Sequence, residues 1–148
     1  MLHGVQLWIA LPEADRFAAP GFAHSEPPVT DVGGATIVVF LGSLFGQASP
    51  VPAYSALTGA EMTLPAGHRL DVRLDAGHEH GFLCDTGSLA AGGAMAQPGE
   101  IVFQPAGAPA ITLEASPSGP ARVLVLGVSR SVSRSSCGGT SSAAATRR

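Results

Sequence analysis

Residues 69–74, Arg69-Leu70-Asp71-Val72-Arg73-Leu74, carry the clearest secondary-structure pattern in the chain. Apolar and charged residues alternate along it, which is the period of a β-strand with one dry face and one wet face. Similar short runs, separated by glycine and proline turn signals, occupy residues 35–41, 57–64, 80–84, 100–104, 110–114 and 121–126. Seven such runs at spacings of roughly ten residues predict an all-β sandwich or barrel.

Length and composition narrow the class of protein. The chain has 148 residues, about the size of one domain. Its 19 glycines and 12 prolines exclude long helices, because both residues interrupt them. The sequence has neither an apolar run long enough to span a bilayer nor a secretion signal at residues 1–4. We therefore expect a cytoplasmic protein with no membrane partner.

Charge is distributed unevenly along the chain. All eleven acidic residues lie in residues 1–127 with only four of the eight arginines, and the chain has no lysine. This acidic, arginine-poor part predicts that nucleic acid is not a ligand. Residues 128–148 carry the other four arginines without apolar periodicity, which predicts a disordered tail. The two cysteines, Cys84 and Cys137, indicate no disulfide framework.

The N-terminal part differs from the predicted barrel. Residues 5–11, Val-Gln-Leu-Trp-Ile-Ala-Leu, form an apolar run that stops at Pro12 and predicts a strand buried on at least one face. Residues 12–28 contain four prolines and are typical of a linker with at most one helical turn. Further along, Gly92-Gly93 predicts a hairpin turn, since glycine readily adopts positive φ.

One cluster has the spacing of metal ligands. His78 and His80 flank Glu79, and residues two apart on a strand share a face, so both imidazoles can converge on one ion. The same alternation places Phe82 and Cys84 on that face. Two interpretations stay open: an iron or zinc site, to which Cys84 could add a thiolate, or histidines whose nitrogens are satisfied within a packed core.

These histidines begin a resemblance to the cupin superfamily. The pattern His78-x-His80, four residues, Asp85, six residues, Gly92 resembles the first cupin motif, with Asp where that motif has Glu. The resemblance implies a cupin-type β-barrel, a double-stranded β-helix or jelly roll, with His78 and His80 as candidate metal ligands. We expect no cofactor, and iron is the alternative. An offset of five residues turns Asp85 to the opposite face of the strand unless a β-bulge intervenes.

The second cupin motif is incomplete. Gly99, five residues, Pro105-x-Gly107, two residues, Ala110 resembles it, and its histidine ligand falls at Ala110. A methyl group does not bind metal, and the opening glycine of the first motif is replaced by Val72. The resemblance therefore implies a cupin barrel that lacks a complete ligand set, because catalytic metals normally have three protein ligands.

A narrower resemblance is to the pirin family of two-domain cupins. Residues 2–12 resemble the segment that closes the first pirin cupin domain, and residues 40–51 with the barrel pattern resemble the second. The likeness covers residues 2–127. It implies a remnant strand and linker of a missing N-terminal domain at 1–28, a pirin C-terminal cupin domain at 29–127, and a tail at 128–148. Permitted codons for residues 137–140, read one base earlier, can encode the Met-Trp-Trp-Asn of a usual pirin ending, so our hypothesis is that a frameshift created the tail.

The resemblance also implies a function. In pirins the iron lies in the N-terminal domain on three histidines and a glutamate, and that domain is linked to quercetin-type dioxygenation. No such motif precedes His3 in this sequence. We therefore predict a non-catalytic C-terminal fragment or binding module that self-associates or pairs with a separate N-terminal cupin domain. The alternative is a metal-dependent dioxygenase of the quercetin 2,3-dioxygenase type, in which His78 and His80 bind iron.

Overall fold

Eleven β-strands and no helix make up the regular structure of residues 4–129, the part of the chain that the computed structural model describes. No helix in this range has the length and apolar character needed to cross a membrane. The strands are β1 (Val29–Val32), β2 (Ala35–Leu44), β3 (Gln47–Ala48), β4 (Leu57–Leu64), β5 (Arg69–Arg73), β6 (His78–Thr86), β7 (Leu89–Ala91), β8 (Ala94–Ala96), β9 (Ile101–Gln104), β10 (Ala110–Ala115) and β11 (Ala121–Ser129).

The strands form two antiparallel sheets. The larger follows the order β1-β2-β4-β11-β6-β9, with β3 beside β2, and the smaller follows β5-β10-β7-β8. Strand β11 lies between β4 and β6, so that Val125 faces Ala60 on one side and Phe82 on the other. Sequentially distant strands are neighbours in both sheets, as in a jelly roll.

The core lies between the two sheets. In β5, Leu70 and Val72 are buried while Arg69, Asp71 and Arg73 are exposed. The alternation predicted for this strand is therefore confirmed. Other buried side chains come from both sheets: Ile37, Met62, Phe82 and Val123 from the larger, and Leu89 and Leu113 from the smaller. Burial of these side chains holds the sheets together, at about 1.5–3 kcal/mol for each large one.

All seven strand runs predicted from residue 35 onward are confirmed. The hairpin turn at Gly92-Gly93 is confirmed too, with φ of 57° and 86° between β7 and β8. Two positive φ values are those of the type I′ turn, whose twist matches that of paired strands. The four strands not named in advance are short and carry too few residues to show a period of two: β1, β3, β7 and β8.

Two sequence predictions are wrong. Residues 5–11 form no strand, because an extended segment needs a neighbouring strand for its backbone hydrogen bonds and no strand of the described part pairs with it. The predicted tail begins too early, since Val128 and Ser129 continue β11 and pair with β6. The rest of the predicted disordered tail, residues 130–148, lies outside the described residues.

Candidate functional site

Two histidines of β6 face the interior between the sheets. Burial alternates along this strand, and His78 and His80 are only 9% and 3% exposed. Their ring centroids are 6.0 Å apart, and the His80 ring stacks on Phe82 with centroids 6.4 Å apart. The predicted sharing of one buried face is therefore confirmed. Cys84 continues the same inward row.

Both imidazoles carry an unpartnered nitrogen. The Nδ1 atoms of His78 and His80 are buried and have no hydrogen-bond partner among the described residues. The Nε2 atom of His78 is 3.8 Å from Oδ2 of Asp75, which is too long for a hydrogen bond, and the Asp75 side chain is 66% exposed. Buried polar atoms are normally satisfied. A bound group or a water molecule between the sheets would therefore form hydrogen bonds with these two nitrogens.

Burial controls the charge of His80. It lowers the pKa of the His80 imidazole from its ordinary value of 6.5, and the nearby His78 lowers this pKa further, because both disfavour the charged ring. The carboxylate of Asp75 acts in the opposite direction but with a smaller effect. His80 is therefore neutral at neutral pH in the folded chain.

This pKa shift predicts acid sensitivity. The unfolded chain binds a proton at His80 more readily than the folded chain, so the free energy of unfolding should decrease as pH falls below about 6.5. The decrease due to His80 ends once pH passes below the folded-state pKa. Urea unfolding of wild type and His80→Leu between pH 7.5 and 5 measures this effect, and we expect a shallower pH dependence in the variant. The exposed His24→Ala is the control; an identical profile in wild type and His80→Leu would contradict the account.

The acidic residue of the first cupin motif points away from the histidines. Asp85 lies on the outer face of β6, where its Oδ2 accepts a hydrogen bond of 2.5 Å from Arg122. The same guanidinium donates two bonds, of 2.8 and 2.6 Å, to Glu61 on β4. These carboxylates, and chiefly Glu61, raise the pKa of Arg122 above its already high value. Asp85 thus belongs to a three-residue ion-pair network across β4, β11 and β6.

The other candidate ligands are also unsuited to a metal. Ala110 lies exposed at the start of β10 and offers only a methyl group. The thiol of Cys84 donates to the carbonyl oxygens of Thr86 and Gly87, both at 3.7 Å. Burial raises the pKa of this thiol, and the negative charge of Asp85 raises it further. Since metals bind the thiolate, Cys84 is a poor ligand at neutral pH.

The interior therefore does not fit a catalytic metal. No three His, Cys, Asp or Glu side chains in residues 4–129 are arranged so that they could hold a metal ion together. Two inward imidazoles remain, one ligand short of the three that catalytic sites normally provide. The predicted roles of His78 and His80 as iron ligands stay predictions.

A second feature, an apolar groove, was not predicted from the sequence. Residues 7–12 lie along one end of the larger sheet and enclose about 470 Å³ with Leu41, Leu57, Leu126 and Val128. Within the segment, Leu7 is 36% exposed and Trp8 is 91% exposed. One side of the segment thus faces the sheet while the indole of Trp8 points to solvent. The apolar run was visible in the sequence, but its position over the outer face of β4 and β11 was not.

Two packed sheets in jelly-roll order with a histidine pair on an inward-facing strand define the class: the chain has the cupin fold. No family model matches the sequence. A protein of Pseudomonas aeruginosa that is provisionally named a quercetin 2,3-dioxygenase is 36% identical over 126 residues. The match covers 84% of this chain and 39% of that protein.

Solved structures with a similar fold support the assignment of the cupin fold. A quercetin 2,3-dioxygenase of Acinetobacter baumannii superposes with a TM-score of 0.76 and 27% identity, over 82% of this chain and 40% of that one. A protein of Geobacillus kaustophilus superposes with a TM-score of 0.72 and 22% identity, over 82% of this chain and 52% of that one, and shows the fold alone. The chain therefore spans about two fifths of the length of the curated relative and of the first of these structures.

Proposed function

We propose that this chain acts as one domain of a cupin protein of the quercetin 2,3-dioxygenase type, and that its own barrel does not hold the catalytic metal. The association with this type of protein is supported by the P. aeruginosa relative and the A. baumannii structure. Each of those proteins is more than twice as long as the matched region.

The side chains available as ligands support the proposal that this barrel does not hold the catalytic metal. The position of the last cupin histidine is Ala110, and the acidic residue Asp85 is bound to Arg122 on the outer face. A metal held by two imidazoles alone has no fixed open coordination position for a substrate. The resemblance of residues 2–127 to pirins also supports this role, because the pirin iron ligands lie in the N-terminal domain.

A separate cupin domain is the partner that this role requires. The segment of residues 5–11 is apolar, unpaired with either sheet, and exposes Trp8 almost completely. Exposed aromatic side chains that gain cover on association are typical centres of protein interfaces. We therefore place the contact with a metal-bearing cupin domain at this segment; self-association of the chain would use the same surface.

Association through Trp8 is directly testable. The probe is the part of the P. aeruginosa relative that this chain does not match, produced separately and titrated with the full chain while binding is followed by calorimetry. We expect Trp8→Ala to weaken binding by about tenfold or more, because truncating a central aromatic costs roughly 1–2 kcal/mol or more. Phe22→Ala, equally exposed at 93% but outside the groove, should bind like wild type.

Equal affinity of the Trp8→Ala and wild-type chains, or no binding by either, would contradict the proposed contact. A concentration-dependent dimer of the wild-type chain, lost in Trp8→Ala, would instead assign the segment to self-association.

The second candidate function is a dioxygenase whose iron is held within this barrel by His78 and His80. The observation that favours it is the pair of buried Nδ1 atoms without partners, since a bound group would satisfy them. Metal bound by the isolated chain is the property that separates this candidate from the first.

A further inference from the structure

The His80 ring lies in a space formed by three neighbouring strands of the larger sheet. Thr58 on β4, Gly127 on β11 and His80 on β6 are paired side by side. The middle position has no side chain, and the imidazole occupies the space above it. A methyl group at Gly127 would lie 2.9 Å from Cδ2 and 3.0 Å from Nε2 of His80, and 3.2 Å from Cβ of Thr58.

The two edges of the His80 ring have different surroundings. The edge with Cδ2 and Nε2 is the edge nearest Gly127, so it packs on the backbone of β11. The opposite edge carries Nδ1, which is buried and unpartnered among the described residues. One face stacks on Phe82 with an interplanar angle of 24°. A metal ligand needs a ring nitrogen that faces an open position about 2.0–2.1 Å away, and its other N–H normally donates to a carboxylate or carbonyl.

We infer that His80 is a packing residue that fits the space left by Gly127 and closes this end of the barrel, and that it does not bind metal. The ring takes the place of the side chain that β11 lacks at this position. This packing role of His80 is independent of any partner domain. Because the inferred role depends on the shape of the ring, an apolar side chain of similar size should replace the imidazole at little cost.

A double-mutant cycle between His80 and Gly127 tests this inference. His80→Ala should lower the Tm by about 5–10 °C by leaving a cavity, and Gly127→Ala should lower it by a similar amount because its methyl group collides with the ring. In the double variant the new methyl enters the vacated space, so the combined loss should be clearly smaller than the sum. Gly119→Ala, where a methyl group meets nothing within 4 Å, is the control and should keep the wild-type Tm.

The variant His80→Leu and a titration with Zn²⁺ provide two further tests, which do not require the alanine variants to fold. His80→Leu should remain within about 3 °C of the wild-type Tm. Addition of ten equivalents of Zn²⁺ should leave the Tm of wild type unchanged. Strictly additive losses in the cycle would overturn the inference, and so would a Zn²⁺-dependent rise in Tm that His80→Leu abolishes.

Discussion

Gly42→Ala should be the most damaging of the single substitutions considered for this barrel, lowering the free energy of unfolding by more than about 3 kcal/mol. Gly42 lies in β2 opposite Thr58, with φ of 65°, next to an irregularity in the pairing with β4. A methyl group at this position would overlap the carbonyl oxygen of Leu57, which is backbone and cannot rotate away. Strands β2 and β4 would have to separate at the end that also forms the groove.

Gly46→Ala is the matched control, because Gly46 also has positive φ, 75°, but a methyl group there meets nothing within 4 Å. It should cost only the left-handed backbone penalty of about 1–2 kcal/mol. Urea denaturation followed by circular dichroism measures both variants. Equal losses for Gly42→Ala and Gly46→Ala would show that the collision with β4 is relieved without separation of the strands.

Arg122→Met should produce the second largest loss, about 2 kcal/mol at pH 7. The substitution keeps most of the side-chain volume but removes the guanidinium that donates hydrogen bonds to both Glu61 and Asp85. The three side chains are 22%, 32% and 16% exposed, so solvent screens part of the effect and the loss stays below that of a fully buried pair. Urea unfolding at low and high salt measures the difference.

Arg16→Met is the control for this prediction. Arg16 pairs with Glu13 at 2.9 Å, but the two side chains are 52% and 76% exposed. Its loss should be less than about 1 kcal/mol, as for other surface pairs. If Arg122→Met cost no more than Arg16→Met, the ion-pair network would not stabilise the larger sheet.

The fold was predictable because its long strands have one buried face. In β5, Leu70 and Val72 alternate with charged residues because one face of the strand is buried and the other is exposed. The same period places His78 and His80 on one face of β6. The outward position of Asp85 agrees with the same period, although the pairing of β6 with β11 skips this residue. The partner of Asp85 was not predictable from this period, because the pairing of β11 with both β4 and β6 brings Arg122 to it from 37 residues away.

What the sequence could not supply was the environment of each segment. The residues 5–11 have the composition of a strand, but whether they form one depends on a neighbouring backbone, and the described part of the chain provides none. The close approach of His80 to Gly127 was equally hidden, because it depends on the antiparallel register of β6 and β11. The sequence around Gly127 therefore gives no indication that the His80 imidazole packs against it.

Iron binding by the isolated chain distinguishes a barrel without a catalytic metal from an iron-dependent dioxygenase. The full chain is dialysed anaerobically against excess Fe²⁺, bound iron per chain is determined by elemental analysis, and quercetin oxidation by the same sample is compared with that by free Fe²⁺. We expect iron well below one equivalent per chain and turnover no faster than with free Fe²⁺, because residues 4–129 provide no third ligand beside His78 and His80. One equivalent of iron with turnover above the free-ion rate, both lost in a His78→Ala, His80→Ala double variant, would contradict the account.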